Sequence, residues 1–566
     1  MIRVLISFCV LIINSVTVYS AVLVSGYFEK DLGDDVEKIE NVVALLAFAG
    51  IANRERPRVF MNSSSESWAT DTPVMWSYPE ADSTWISYIT EEVGIQFEHS
   101  NGSLCAILEM DETLSSSIRG IVMYEKSDRI DALKWLAVSA SGLLDGIPVT
   151  ASLLSRWTSC LGHLPVLMTI PSNFSDDLEA YDWGFRELLP NMSTSVITGS
   201  CYNWNNYTCG WGDPLGTASI DFAVSKRGMV MNLSPNDPDQ ASMFKKYLSH
   251  LKPGFVFGGW AEPEPAMTEL VTDFQGVVQC GAPNLSFLSS LRLNTSRLPL
   301  HLSQKTLNRS AVYLTFQSNE GDTPKNAYSF RQGNWLKDRK VPIAWGVSPI
   351  IAELFPGLWD FYTATAQPMF DQFFGATGGY GYTHPWSESN MSYFFDNVKR
   401  LKDSYMPLGT YNWIDNWEGG CPENRTINPC NELYERFSES TGVNGFSQQP
   451  TMDLNTQNVN YVHNEFLPDG TPIFLPPTTL WYPQDKGFCD RNLSLIDEVN
   501  CIVEHVENAM LNNTKRPLFI LAYGVDRYVE VANSIQNTKL NSSVDVIGAQ
   551  DLVLLGRLAA ATNSVL

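Results

Sequence analysis

The sequence predicts an α/β protein in which residues 310–566 form a (β/α) barrel-like domain preceded by three small α/β or α+β domains. The barrel rests on two observations. Residues 311–316, 341–347, 407–414 and 517–523 are nearly continuous apolar runs without period-2 alternation, as in strands buried on both faces. Helical stretches such as 393–405 and 495–511 fall between those runs over about 250 residues, the order of a parallel barrel. A doubly wound open sheet has the same periodicity. A third observation divides the remainder. Upstream of a Ser- and Leu-rich linker at 286–309, shorter strand and helix signals group into units at 21–112, 113–183 and 184–290.

Taken in order, residues 1–20 read as a secretory signal. Arg3 gives the positive start, 4–13 the apolar stretch and Val18-Tyr19-Ser20 the exit, with cleavage before Ala21. That stretch is shorter than the about 20 residues of a spanning helix, so no membrane span is expected. In the first unit Val36, Ile39, Val43, Leu46 and Gly50 recur at near-helical spacing behind acidic Asp34, Asp35 and Glu37, and 58–61 follows as a strand. The second unit reads as a strand at 119–124, a helix at 132–144 and a strand at 147–150, a β-α-β crossover. In the third, 220–224 and 229–232 read as strands and 243–251 as a helix. Within the barrel-like domain, 544–548 is a further, shorter strand.

Secretion makes a demand that the rest of the chain meets. Asn-x-Ser/Thr acceptors occur at Asn62, Asn101, Asn173, Asn191, Asn206, Asn284, Asn294, Asn308, Asn390, Asn424, Asn492, Asn512 and Asn541, and at Asn232 before a proline. Cysteines at short loop spacings, Cys201/Cys209, Cys421/Cys430 and Cys489/Cys501, suggest local disulfides, with one thiol of the mature chain left over. With 38 basic against 62 acidic residues, a net of −24, the chain is a poor partner for nucleic acid or an anionic membrane.

The chemistry-bearing residues follow the strands. Parallel barrels place catalytic side chains at the C-terminal ends of strands. The first buried strand runs into Gln317-Ser318-Asn319-Glu320-Gly321-Asp322-Thr323, and two carboxylates two residues apart on extended backbone project to the same side, roughly 6–7 Å apart at Cα. Cleaving a glycosidic bond needs such carboxyls, one to protonate the leaving oxygen and one as nucleophile or base. The run 407–414 ends in Asp415-Asn416-Trp417-Glu418, where indoles alternate with acids and offer flat faces to a sugar ring. The glycine-rich stretch 375–386 presents Tyr380, Tyr382, His384 and Trp386 in a loop, and lacks the Lys of a phosphate cradle.

Gly379-Tyr380-Gly381-Tyr382-Thr383-His384-Pro385 resembles the signature of the GxGYxYP family of glycoside hydrolases, matching at Gly379, Gly381, Tyr382 and Pro385 and departing at His384, where the family has Tyr. Glu320-Gly321-Asp322-Thr323 looks like the family's acidic turn, altered at its first and last residues. Segments around Gly50–Arg54, Gly258–Glu264 and Ala282–Ser286 are similar to the family's N-terminal domains. The resemblance implies three small domains before a barrel-like domain that carries the active site.

The expectation is therefore a secreted glycoside hydrolase, monomeric, without cofactor or metal, whose partner is a carbohydrate. Asp322 serves as nucleophile or base beside Glu320, and Asp415 as acid, or the reverse. Tyr380, Tyr382, His384 and Trp386 wall the sugar site opposite Trp417, with Glu262 reaching in from the third unit. A non-catalytic glycan-binding protein is the alternative. A metal-dependent polysaccharide deacetylase ranks lower, because the seven histidines form no i, i+4 pair.

Overall fold

The computed structural model describes residues 20–25, 35–62, 79–100, 104–127, 129–200, 219–291, 293, 305–318, 323–328, 330–376, 378–406, 412–414, 428–448, 464–474, 478–479, 494–513, 515–524 and 527–562. Its strands fall into four separate sheets, and all described ladders but one are parallel.

The first sheet holds β1 (Ser20–Ser25), β2 (Val59–Asn62) and β3 (Gln96–Ser100) in the order β2-β1-β3. Helix α1 (Asp35–Ala52) joins β1 to β2, and Val42 through Ala49 are all buried, which makes α1 a core helix covered all round. Helix α2 (Leu104–Met110) leads into the second sheet, β4 (Gly120–Met123), β5 (Gly146–Val149) and β6 (Val166–Thr169), ordered β5-β4-β6. Helix α3 (Ala132–Leu144) is its crossover, and α4 (Thr158–Leu161) precedes β6.

The third sheet orders β7 (Val196–Gly199), β8 (Met229–Met231), β9 (Val256–Gly259) and β10 (Val277–Gln279) as β10-β9-β7-β8. Two expectations fail here. The segment expected as a strand at 220–224 is helix α5 (Ile220–Ser225), packed between α1 and α3. Five residues span barely more than one turn, too few for a period to declare itself, and burial on every side gives an apolar run in either conformation. After α6 (Glu264–Asp273), the expected linker begins instead as helix α7 (Leu285–Ser290), whose Leu285, Ser286, Phe287 and Leu288 are buried.

Helix α7 begins at a polar clasp between units. The Asn284 carboxamide accepts from Met61 N at 2.6 Å and donates to Met61 O at 2.9 Å and to the Tyr328 hydroxyl at 3.3 Å. Asn53 donates to Val59 O and Ser286 Oγ, both at 2.9 Å, and the Asp221 carboxylate accepts from Ser286 N at 2.8 Å. Asn284 was expected as a glycan acceptor, but the nitrogen that would carry the sugar is engaged in bonding and the residue is 1 % exposed. Asn173, Asn191, Asn308, Asn390, Asn512 and Asn541 are exposed. Enzymatic deglycosylation in heavy-oxygen water, followed by peptide mapping of chain from a secretory host, is expected to leave Asn284 unlabelled; label there would mean the clasp does not form.

The described disulfide joins Cys105 of α2 to Cys160 of α4, with Cα atoms 5.4 Å apart across 55 residues of sequence, and was not among the expected local pairs. Cys501 is disulfide-bonded, and Cys280 is buried. Cys201, Cys209, Cys421, Cys489 and the side chain of Cys430 lie outside the described residues.

The fourth sheet contains β11 (Val312–Ser318), β12 (Ile343–Val347), β13 (Asp371–Gly375), β14 (Asn412–Ile414), β15 (Phe446–Gln448), β16 (Asn464–Phe466), β17 (Pro472–Phe474), β18 (Thr478–Thr479), β19 (Leu518–Gly524) and β20 (Asp545–Val546). Its order is β16-β17-β15-β14-β13-β12-β11-β19-β18, with β20 on β11. From β11 to β15 each strand lies beside its predecessor and parallel to it, the order of successive β-α-β units.

The sheet curls. In β11, Val312, Leu314 and Phe316 face one core cluster, whereas Tyr313 joins Ala344, Phe374, Phe474, Phe519 and Leu521 in another on the opposite face. On that inner face Gln317 Nε2 donates to Ser447 Oγ at 3.0 Å, although β11 and β15 are four strand spacings apart, about 19 Å in a flat sheet. The rings of Phe474 in β17 and Phe519 in β19 lie 5.7 Å apart. Among the described residues no ladder joins β17 to β18, so the hydrogen-bonded ring is not closed. Helix α8 (Met391–Tyr405) follows the loop after β13. Helix α9 (Ala549–Ala561) packs against the start of β13 and β17. Gln372 donates to Asp551 at 3.1 Å, and Arg557 donates to Thr471 at 2.9 Å.

Candidate active site

The acidic stations sit where strands end. Glu320 and Asp322 follow the last residue of β11, Ser318; Asp415 and Trp417 follow the last residue of β14, Ile414. All four lie outside the described residues, so the site is built from what carries them. Ser318 and Thr323 bracket the acidic turn, and both hydroxyls are buried without a hydrogen-bond partner among the described residues. One layer below, the Gln317–Ser447 hydrogen bond crosses the inner face. Ser447 is in register with Trp413, two residues before Asp415. Strand β11, which carries the first station, is thus tied from beneath to β15, the neighbour of the β14 that carries the second.

The signature loop takes a different place from the one its sequence suggests. Gly379 has φ +104°, a conformation closed to L side chains, and a Cβ on Gly381 would stand 2.1 Å from the Val277 side chain of β10. The loop therefore lies directly against the third sheet. Val278 N donates to Tyr382 O at 3.0 Å, His384 N to Thr272 Oγ1 at 3.1 Å, and the Tyr382 hydroxyl to Glu264 Oε1 at 2.5 Å. Tyr380 packs on Phe394 of α8 with ring centroids 5.4 Å apart, and its carbonyl accepts from Ile350 N. Tyr380, Tyr382 and His384 are all under 5 % exposed. They were expected to face a sugar; the structure places them in the joint between the third sheet and the C-terminal domain. Trp386 stands in a short 3-10 turn, and its side chain lies outside the described set.

Burial sets the charge states here. It pushes the Tyr380 hydroxyl well above its usual range, with Glu388 and Tyr393 adding to the shift, and holds His384 neutral, down at about 4. Glu262 is half-buried and accepts from Trp260 Nε1 at 3.0 Å, so it braces its own loop. The sequence reading missed Glu388. Burial, with Asp273 nearby, raises its carboxyl to about 7. A glutamate two residues before a helix cap carries no chemical signal in sequence; only the joint around it does. Among the described residues no group of three His, Cys, Asp or Glu side chains could hold a metal ion, and no helix is long and apolar enough to cross a membrane.

Comparison with known proteins adds the family context. Residues 310–557 match the model described as "GxGYxYP putative glycoside hydrolase C-terminal domain", and residues 205–290 match the "GxGYxYP third domain". In fold, the chain is similar to the crystal structure of a "putative hydrolase" from Bacteroides thetaiotaomicron. The TM-score is 0.71 at 16 % sequence identity, over 96 % of this chain and 95 % of that one. No curated protein matches the chain significantly in sequence.

Proposed function

The chain belongs to the GxGYxYP family, and from that premise we propose that it is a secreted glycoside hydrolase acting at the mouth of a barrel-like C-terminal domain. The observation that carries this reading is the Gln317–Ser447 hydrogen bond, which draws β11, bearing the first acidic station, across the inner face to β15, the strand beside the β14 that bears the second. Barrel-like closure is supported from the other side as well. Phe474 and Thr478 are four residues apart in sequence, so β17 and β18 end within about 14 Å of each other whatever path the chain takes.

Asp322, with Glu320 beside it, acts as nucleophile or base, and Asp415 protonates the leaving oxygen, or the two roles are exchanged. Their separation decides between retention and inversion, about 5 Å for the first and roughly 6.5–9.5 Å for the second. Trp417 and Trp386 supply the flat faces for the sugar. Tyr380, Tyr382 and His384 hold the loop that carries Trp386. The acidic balance of the chain suits a neutral glycan.

Export is supported by the 55-residue disulfide, which a reducing compartment would not preserve, and by the exposed acceptor asparagines. Removal of residues 1–20 would leave Ala21 as the first residue, inside β1 and opposite Phe97 of β3.

The test is reducing-sugar release from a panel of plant, algal, fungal and animal glycans by the purified chain and by Asp322→Asn. Release by the native chain is expected, with a loss of about 10²–10⁴-fold in the variant. Binding without release from any member would replace hydrolysis by a glycan-binding role.

A further inference from the structure

The joint between the third sheet and the C-terminal domain contains a carboxyl group that its surroundings do not neutralise. Glu388 is 7 % exposed. One of its oxygens accepts from Asn390 N at 2.9 Å, and the other, Oε2, is buried with no hydrogen-bond partner among the described residues. The groups facing it are acidic or phenolic: Asp273 at the end of α6 and Tyr380 on the same loop, itself beside Tyr393 in the first turn of α8. No described cation contributes. The contact is close, because the neighbouring Ser389 hydroxyl donates to Asp273 O at 2.6 Å. An ionised carboxylate here would be buried beside a like charge, and a protonated one would not.

We propose that this joint is a proton-operated latch, closed while Glu388 carries a proton and loosened when Glu388 ionises. What the latch holds is the signature loop. The bonds from Val278 N to Tyr382 O, from His384 N to Thr272 Oγ1 and from the Tyr382 hydroxyl to Glu264 Oε1 all cross the same seam. Docking raises the Glu388 carboxyl from 4.5 to about 7. A carboxyl whose pKa rises on docking gives stability that is full below the undocked value and is lost as pH climbs through the docked one. His384, buried neutral on the same loop and lowered from 6.5 to about 4, works the other way and loosens the joint only towards acid. Loosening on the alkaline side therefore belongs to Glu388. The latch is independent of which bond the C-terminal domain cleaves.

Hydrogen–deuterium exchange of the full chain tests this, comparing native and Glu388→Gln proteins at matched pH in peptides covering 264–278 and 378–390. Near pH 5 the two should differ by only a few-fold. Near pH 8 the native joint should open roughly 10²-fold more than the variant, since each unit of pKa difference is worth a factor of ten. A native-to-variant ratio that stays constant between about pH 5 and about pH 8 overturns the proposal. Asp273 is exposed, so Asp273→Asn gives a second reading without burying a new group. With the facing charge removed, the native loosening near pH 8 should shrink. If it is unchanged in Asp273→Asn, Glu388 does not work against its acidic neighbour and the latch fails.

Discussion

Replacing Arg339 by methionine is expected to destabilise the C-terminal domain by about 3–5 kcal/mol, read as a fall in its urea midpoint at unchanged slope. Arg339 precedes β12 and lies over the Trp335 ring at 4.9 Å. Its guanidinium meets the Asp371 carboxylate at the start of β13, with Nη2 2.9 Å from one oxygen and Nε 2.8 Å from the other. Both side chains are at most 2 % exposed. Asp371 also accepts from Trp345 Nε1 at 2.9 Å and Gln367 N at 2.7 Å. Methionine fills the volume of the arginine stem but leaves a carboxylate in the core with two neutral donors. Burial already lifts the Asp371 carboxyl above its usual range even with Arg339 beside it, and removing the guanidinium lifts it further. The damage in Arg339→Met should therefore be smaller in mild acid, where Asp371 can take up a proton, and grow as pH rises. Adding Asp371→Leu should restore much of the loss, because an apolar pair leaves no orphaned charge. If the double variant is no more stable than the single one, the ion pair is not the source of the effect.

Removing the Cys105–Cys160 bridge by alanine substitution should cost about 4 kcal/mol, the chain-entropy value for a loop of this length. The bridge ties α2, after the first sheet, to α4 in the second, so its loss should lower the midpoint of that half of the chain first. Both cysteines are partly exposed and open to a reductant. Reduction of the native protein should reproduce the drop, which separates the cross-link from any packing defect left by alanine. Equal calorimetric midpoints for the oxidised and reduced proteins would place the stability of this half elsewhere.

The parts of the fold that were legible in sequence are those whose burial is regular. Helix α3 runs from Ala132 to Leu144 as its spacing predicts, and β11 is buried at every residue, as an unbroken apolar run implies. The parts that were not legible depend on neighbours far along the chain. The helical state of Ile220–Ser225 is decided by α1 and α3. The partner of Cys105 lies 55 residues away, beyond the reach of an argument from short loop spacings. The signature aromatics gave a clear signal of importance, but the residues that enclose them, Glu264, Thr272 and Val278, are more than 100 positions upstream. A sequence can mark an aromatic loop as special without revealing whether its rings meet a ligand or another part of the same chain.

The position of β11 has a consequence for how the molecule is made. One of its edges is met early by β12, but the other pairs along its whole length with β19, whose residues follow about 200 positions later. On a ribosome adding roughly 5–20 residues per second, that edge waits for about 10–40 s. Throughout that interval the nascent chain holds out an apolar strand with a bare row of amides and carbonyls, the kind of surface that recruits another strand. Helix α9, later still in the chain than β19, then packs at the amino-terminal end of the curled sheet. The arrival of β19, and not that of the first β-α units, is thus the event that commits this domain to its native state.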